Sequence, residues 1–216
     1  HHQHQTWLIE TLAEHNRHAS VAFEMIDNYQ GDRLSKQKII SVDQLIEVLN
    51  QSKSNWQYEL RYKNIFAAAL EAGFHIEAAN LNSKRLMHTV MQGEEKLPDE
   101  YQQMLAKTPF TAQQYSALQL EINQAHCNML PDKSSRSMAL GQRLRDAIMA
   151  HSLLNSKADV KVLIAGMGHV RNDRAVPLYL KTNLELKSRE NKILSVGFIE
   201  VDNELKNTKD YMQYAD

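Results

Sequence analysis

The 216-residue sequence lacks the features that mark several large classes of protein. It has one cysteine, Cys127, so no disulfide can form within the chain and cysteine usage assigns no redox compartment. No run of 18 apolar residues occurs, so the sequence predicts no membrane-spanning segment. The 25 Lys and Arg residues nearly balance the 26 Asp and Glu residues, and a formal net charge of -1 gives no global reason to bind nucleic acid.

Motifs that identify common enzymes are also missing. The sequence has no HExxH, no CxxC, no phosphate-binding loop and no GxSxG, and its Gly-Met-Gly-His run has too few glycines for a dinucleotide fingerprint. The printed residues predict no secretory signal, and the sequence begins HHQHQ without an initiator Met. Two interpretations stay open for this start: the stub of a purification tag, or a native sequence cut before His1.

What is present is an alternation of apolar runs and amphipathic stretches. Four runs predict strands, and they are Ser20–Ile26, Phe74–Asn80, Val160–His169 and Lys192–Val201. Helices are predicted at residues 3–15, from Ser41 or Asp43 to Leu49, from Ser54 or Asn55 to a stop at Gly73, at 135–154 and over AVPLYLKTN, with turns at Asp27-Asn28 and Gly31-Asp32. This order predicts an α/β fold, a parallel β-sheet flanked by helices.

The helical stretch between the second and third strands is too long for one crossover. Pro98, Pro109 and Pro131 divide it into segments. We therefore predict an inserted helical cap at residues 83–134 over a core of residues 1–82 and 135–216, in one structural domain.

Three predicted strands end in polar residues, and ligands of open parallel sheets bind at the carboxyl ends of strands. Glu24 lies near the end of the first strand, Asn80 ends the second, and Gly166-Met167-Gly168-His169 ends the third. Glu24 is equally compatible with a buried carboxylate satisfied by its surroundings, and Asn80 with a turn residue. Together the three strand ends predict a binding site.

Two further sets of residues are weaker candidates. Gln142, Asp146 and Met149 fall on roughly one face of the long helix, close to Arg145. His126 and Cys127 are adjacent, and adjacent residues on a helix point about 100° apart, so they cannot readily form a catalytic dyad with each other.

Taken in order, these segments resemble the ChaN-like haem-binding family, described as iron-regulated bacterial lipoproteins. The similar segments are HHQHQ, VAFEMIDNYQ, NWQYELRYKNIFAAALEAGFHIEAANLN, HCNMLP, GQRLRDAIMA and IAGMGHVRNDRAVPLYL, which cover most of the chain. One departure is that the family normally begins with a strand and a Gly-Glu-x-His turn before the His-His pair, and both are absent here. This departure favours a native sequence cut before His1 over a tag stub.

The resemblance implies a haem-binding protein of haem or iron uptake or trafficking, rather than an enzyme. It implies haem as cofactor, a homodimer, a possible outer-membrane haem receptor as partner, and the periplasmic face of the outer membrane as location, through a lipid anchor that this sequence does not contain. Tyr58 and Tyr62 are the candidate iron ligands, although core packing is an alternative for either. The residues expected to line the site are His1, His2, Glu24, Tyr58, Tyr62, Asn80, Arg145, His169 and Arg171.

Related folds leave a second class of function open. Erythromycin-esterase-like hydrolases and TraB/Tiki-type proteins use Glu and His residues at similar strand ends. A metal- or Glu/His-dependent hydrolase is therefore the alternative, on fold-level analogy.

Overall fold

The structure, a computed structural model, describes residues 1–15, 18–52, 54–184, 192–200, 207 and 209. The α-helices in these ranges are α1 His2–His15, α2 Asn28–Leu34, α3 Val42–Asn50, α4 Lys63–Glu71, α5 Ser83–Gln92, α6 Asp99–Lys107, α7 Ala112–Ala125, α8 Asp132–Asn155 and α9 Val176–Asn183. The strands are β1 Ala19–Asp27, β2 His75–Asn80 and β3 Val160–Ile164. A π-helix spans Tyr58–Tyr62, and 3₁₀ turns span Glu94–Lys96 and Met167–His169.

The three strands form one parallel sheet in the order β2-β1-β3. The central strand β1 is buried along almost its whole length, which explains its continuous apolar sequence. The predicted α/β class with a parallel sheet flanked by helices is confirmed. The predicted starts of the first two helices and the stop at Gly73, whose φ is +70°, also agree with the structure.

The chain divides into two compact units. The first unit is His1–Asn82 with Asn155–Ala165, and it contains the sheet. The second unit is Ser83–Leu154 with Gly166–Asp216, and it contains α5 to α7, nearly all of α8, and α9. The helical cap predicted at residues 83–134 stays a prediction.

The core of the first unit lies where the helices pack on the sheet. Its largest fully buried side chains include Phe23 of β1 and Phe66 of α4, whose ring centroids are 4.8 Å apart. The ring of Tyr62 lies 6.3 Å from that of Phe66, so the end of the π-helix is packed into this core. Burial of such rings is worth about 1.5–3 kcal/mol each.

Two predicted local features are wrong in the first unit. The predicted turns after β1 form helix α2, because Asp27 and Gln30 make a reciprocal capping box. Gly31 lies inside that helix, where an added β-carbon would be 2.7 Å from the Ala78 side chain of β2. The helix after Ser54 begins as the π-helix, and its N-cap residue Gln57 makes no side-chain cap.

The predicted fourth strand, Lys192–Val201, is wrong for residues 192–200. These residues adopt no regular secondary structure, and Val201 lies outside the described residues. Ser195 donates a hydrogen bond to the carbonyl of Val170, and a β-carbon on Gly197 would lie 3.5 Å from the sulfur of Met167. An apolar alternating pattern does not distinguish a paired strand from an extended segment held by such single contacts.

Candidate functional site

The carboxyl ends of the three strands share one edge of the first unit, because the strands run parallel. Asn80 ends β2, and its side-chain amide donates to the backbone carbonyl of Glu24 at 3.0 Å. Its side-chain oxygen accepts from the backbone N–H of Leu81 at 2.9 Å. Glu24 itself is only 6% exposed. The structure therefore brings these two predicted residues together, with Asn80 in the role of a turn residue that ties the strand ends.

Tyr58 lies in the core next to this edge and is 1% exposed. Its hydroxyl donates to the carbonyl of Met25 at 2.7 Å and accepts from the side-chain amide of Gln30 at 3.0 Å. The same amide of Gln30 donates to the carbonyl of Leu49 at 2.9 Å. Burial raises the pKa of the Tyr58 hydroxyl, which opposes the phenolate form that an iron ligand needs. Tyr58 acts as a brace between β1, α2 and the π-helix.

Tyr62 and His2 form what we call the first Tyr–His pair. Their ring centroids are 4.9 Å apart, and the indole of Trp56 lies 6.0 Å from the Tyr62 ring. Burial raises the pKa of Tyr62, as does the nearby carboxylate of Glu24, while Arg61 lowers it. Burial lowers the pKa of His2, helped by the amino group of His1 and by Arg61, so the neutral imidazole is favoured.

The π-helix is what places Tyr62 in this position. In a π-helix the chain bonds from residue i to i+5, and short π segments are rare and frequent at functional sites. Tyr58 and Tyr62 are the first and last residues of the segment, and both are buried. Two tyrosines predicted as equivalent ligands thus have different surroundings, since one hydroxyl is hydrogen-bonded in the core and the other lies beside a histidine.

His169 lies in the second unit, in the 3₁₀ turn that follows Gly166, and it is 4% exposed. Its Nδ1 is 2.7 Å from the carboxylate of Asp146, and the side-chain amide of Gln142 is 3.2 Å from its Nε2. Gln142 and Asp146 lie four residues apart on α8, so one face of that helix holds the imidazole from two sides. The sequence placed these polar groups on one face, but not their contact with His169.

Arg145 and Arg171, the two arginines expected to line the site, also lie in the second unit. Arg171 makes a two-point contact with the Asp173 carboxylate, at 3.1 and 3.3 Å. Burial would raise the pKa of Asp173, but Arg171 and Arg174 outweigh burial and hold it below its usual value. Arg145 differs, because its Nε is buried and has no hydrogen-bond partner among the described residues. A buried donor without an acceptor is costly, so Arg145 is the better candidate for an anionic ligand.

Arg143 is a structural centre of the second unit that the sequence did not predict. It is 3% exposed and donates to the hydroxyls of Tyr179 and Tyr115 and to the carbonyls of Thr108 and Leu105. Its guanidinium also lies 4.4 Å from the centre of the Phe110 ring. The signal that could have found it is spacing, because Ala139, Arg143 and Ala147 share the buried face of α8.

A second Tyr–His pair, Tyr101 and His151, lies in the second unit. The ring of Tyr101 on α6 meets the ring of His151 on α8 edge to face, with centroids 5.5 Å apart. Both residues are half-buried. Burial raises the pKa of Tyr101, Glu100 raises it further, and Arg85 lowers it. No sequence pattern joins residues 50 positions apart on separate helices, so only the fold reveals this pair.

The hydroxyl groups distinguish the tyrosines as possible ligands. Tyr58, Tyr115 and Tyr179 each use the hydroxyl in hydrogen bonds. Among the described residues, the hydroxyls of Tyr62 and Tyr101 have no such partner, and these are the two tyrosines with a histidine ring beside them. A tyrosine hydroxyl that has no hydrogen-bond partner is available to bind iron, and the imidazole next to it is a second polar group nearby.

Other site chemistries have little support in the described part of the chain. No group of three or more His, Cys, Asp or Glu residues there is arranged to hold a metal ion. No described helix has the length and apolar character needed to cross a membrane. The candidate groups are therefore the two tyrosines, their histidines and Arg145.

Comparisons with known proteins give a consistent result. The family model described as haem-binding uptake, Tiki superfamily, ChaN matches residues 1–180, a range that contains both Tyr–His pairs and His169. Among solved structures, the chain is similar to that described as "Cofacial heme binding to ChaN of Campylobacter jejuni". That match has 22% identity and a TM-score of 0.62, and it covers 82% of this chain and 67% of the other. No curated protein matches.

Proposed function

The chain belongs to the ChaN family of haem-binding uptake proteins, and we propose that it is a haem carrier in haem or iron uptake or trafficking in the bacterial envelope. The match of the family model over residues 1–180 is the observation that carries this proposal. The same match confirms the family resemblance seen in the sequence, and it supports haem as the cofactor. The transport role, the location and the partners are proposals.

The residues present fit the needs of a bound haem. A bound haem would supply an iron that takes an oxygen, nitrogen or sulfur ligand, and carboxylates that need cations or hydrogen-bond donors. In the described part of the chain the hydroxyls of Tyr62 and Tyr101 have no hydrogen-bond partner, and they are suited to the first need. The buried Nε of Arg145, which also has no partner there, is suited to the second. Arg171 is less suited, because Asp173 already occupies its guanidinium.

Of the candidate ligands, we favour Tyr101, with His151 beside it. Tyr62 is 7% exposed, so a ligand has little access to it, whereas Tyr101 is half-buried. Charge does not separate the two, because burial and a nearby carboxylate raise the pKa of each tyrosine and an arginine lowers it. Tyr58 is the weakest candidate because its hydroxyl is hydrogen-bonded inside the core. The expectation that His1, His2, Glu24, Asn80 and His169 bind haem or line a site stays a prediction.

The direct test is a titration of the purified protein with haemin, followed by absorption. We expect a saturable shift of the Soret band and a charge-transfer band of the kind that tyrosinate ligation of ferric iron gives. A matched titration of the Tyr101→Phe protein should lose the charge-transfer band. If the wild-type protein gives no saturable spectral change, the haem-carrier proposal is wrong.

A homodimer is part of the proposal. The Campylobacter protein binds haem cofacially, and a face-to-face arrangement in this chain would let two copies cover haem faces that one copy leaves exposed. Sedimentation with and without haemin tests this, and we expect the dimer fraction to rise as haem is added. A sedimentation coefficient that does not change at saturating haem would contradict a haem-linked dimer.

The envelope location, the lipid anchor and the outer-membrane receptor rest on the family resemblance alone. Fractionation of cells that express the native gene, combined with labelled palmitate, would test the first two. We expect the labelled protein in the outer-membrane fraction. Cross-linking in the same cells would test for a haem receptor, and unlabelled protein outside the membrane fraction would contradict the anchor.

The surroundings of His169 give the hydrolase alternative less support than the haem-carrier proposal. Its ring is 4% exposed and both ring nitrogens have polar neighbours, Asp146 and Gln142. A general base needs a nitrogen within reach of substrate or water. Ester or amide turnover that disappears in both His169→Ala and Glu24→Ala would nevertheless favour a hydrolase.

A further inference from the structure

The outer face of α5 carries an unusual set of exposed side chains. Met87 is 53% exposed and Met91 is 78% exposed, and His88 between them is exposed as well. The opposite face of the same helix is an ordinary apolar one, since Leu86 and Val90 are buried. The helix therefore packs into the second unit through one face and presents two thioethers and an imidazole on the other.

Helix geometry brings these three groups within reach of one point. Residues four apart on an α-helix have β-carbons separated by about 5–6 Å. Methionine has three rotatable bonds, so the sulfurs of Met87 and Met91 can turn towards each other without moving the backbone. His88 points about 100° away from Met87, but it lies three positions before Met91, so Met91 lies between the other two residues on the surface of the helix.

The donor set selects the class of metal. Thioether and imidazole ligands suit soft metals such as Cu(I), whereas Mg²⁺, Ca²⁺ and Mn²⁺ prefer carboxylate and carbonyl oxygens. The sequence of α5, SKRLMHTVMQ, has no Asp or Glu. Among the described residues, no group of three or more His, Cys, Asp or Glu could hold a metal ion, so the thioethers are what distinguish this surface.

The hydrogen bond that His88 makes is also compatible with a role as a metal ligand. The side-chain amide nitrogen of Gln92 lies 3.0 Å from His88 Nε2. An amide N–H can only donate, so Nε2 is the acceptor in this contact and is the ring nitrogen that a metal ion would take. A metal ion at Nε2 would replace this single exposed hydrogen bond. We propose that Met87, His88 and Met91 form a binding site for one Cu(I) ion, separate from the haem groups discussed above.

The test uses the whole apo-protein with Cys127 changed to Ser, because the exposed thiol of Cys127 would compete for the metal. Ag(I), a redox-inert stand-in for Cu(I), is added to protein with ¹³C-labelled methionine methyl groups and followed by NMR. We expect the methyl signals of Met87 and Met91 to shift together and saturate at one equivalent. Met129 is 79% exposed and serves as the matched control, and its signal should stay in place.

Competition with a chromogenic Cu(I) chelator then gives the affinity. Leucine at positions 87 and 91 keeps the apolar surface and removes both sulfurs, so the Met87→Leu/Met91→Leu protein should bind Cu(I) at least about tenfold more weakly. His88→Gln should weaken binding in the same direction, and Met129→Leu should not. Circular dichroism checks that each variant is folded. Unchanged affinity in the double variant, or a shift of Met129 equal to those of Met87 and Met91 at one equivalent, would overturn the proposal.

Discussion

The two Tyr–His pairs are built from the same residue types and differ in what surrounds them. Tyr62 is 7% exposed and packed among rings of the first unit, with a buried carboxylate nearby. Tyr101 is half-buried between two helices of the second unit, with Glu100 and Arg85 close to it. Burial and a carboxylate raise the pKa of both tyrosines, so the pairs differ in access more than in charge. The difference teaches that a tyrosine beside a histidine is not by itself a ligand site, because the exposure of the tyrosine decides whether a ligand can reach it.

The units also differ in the buried polar residue that braces each of them. In the first unit, Tyr58 and Gln30 form a neutral network that ends on backbone carbonyls. In the second unit, Arg143 brings a positive charge into the interior and donates to four oxygen acceptors. A hydrogen bond from a charged donor is stronger than a neutral one. A buried acceptor that is left without a donor also lowers the free energy of unfolding. The second brace should therefore be the more sensitive to substitution.

The largest effect that we expect is on the stability of the second unit in Arg143→Leu. Buried acceptors that lose a donor cost about 1–3 kcal/mol each, so the free energy of unfolding should fall by about 3–5 kcal/mol. Denaturant unfolding measures this change. Arg136→Leu, at an exposed position on the same helix, is the control and should stay within about 0.5 kcal/mol. Equal stability of the two variants would show that Arg143 is not a brace.

The next effect separates the two Tyr–His pairs directly. Loss of an outer-shell partner typically costs 10–100-fold in metal affinity, so removal of the ligand itself in Tyr101→Phe should weaken haemin binding by more than about 100-fold. Tyr62→Phe should change the affinity less than about tenfold. Fluorescence quenching and the Soret band measure both. The reverse order of effects would move the iron site to the first pair.

The sequence predicts the sheet and the first unit well, because their signals are local. The apolar run of β1, the cap at Ser41 and the stop at Gly73 each depend on neighbouring residues. The capping box of α2 also depends on two nearby residues, Asp27 and Gln30. Gly31 inside the helix, however, resembles a turn signal. Only the close approach to Ala78 explains that glycine.

The candidate site was less predictable, since its contacts join distant parts of the chain. Glu24 and Asn80 could be placed at one edge from the parallel sheet alone. The pairing of Tyr101 with His151 and the contact of Asp146 with His169 depend on how helices pack, which no period in the sequence encodes. The two predicted iron ligands, Tyr58 and Tyr62, lie four residues apart and look equivalent in the sequence. They differ in the hydrogen bonds of their hydroxyls, and spacing alone cannot predict that difference.

The different hydrogen bonding of Tyr58 and Tyr62 gives a matched pair of predictions within the first unit, with a smaller expected effect than those above. Tyr58→Phe removes a hydroxyl that has partners on three sides, so the free energy of unfolding should fall by about 1–3 kcal/mol. Tyr62→Phe removes a hydroxyl without a described partner and should stay within about 0.5 kcal/mol. Urea unfolding of both variants gives the comparison. A larger loss in Tyr62→Phe would reveal a hydrogen bond at the first pair.

The smallest expected effect is a pH dependence of the stability contributed by the first pair. Burial lowers the pKa of His2 below its ordinary value of 6.5, so the unfolded chain takes up the proton more readily than the folded one. The contribution of His2 to stability is therefore fully present above pH 6.5 and is lost as the pH falls towards the lowered pKa. His2→Gln should remove that slope between pH 7.5 and about pH 5, whereas His15→Gln, on the exposed end of the same helix, should keep it. If wild type and His2→Gln differ by a constant free energy of unfolding across this range, the fold does not favour the neutral imidazole of His2.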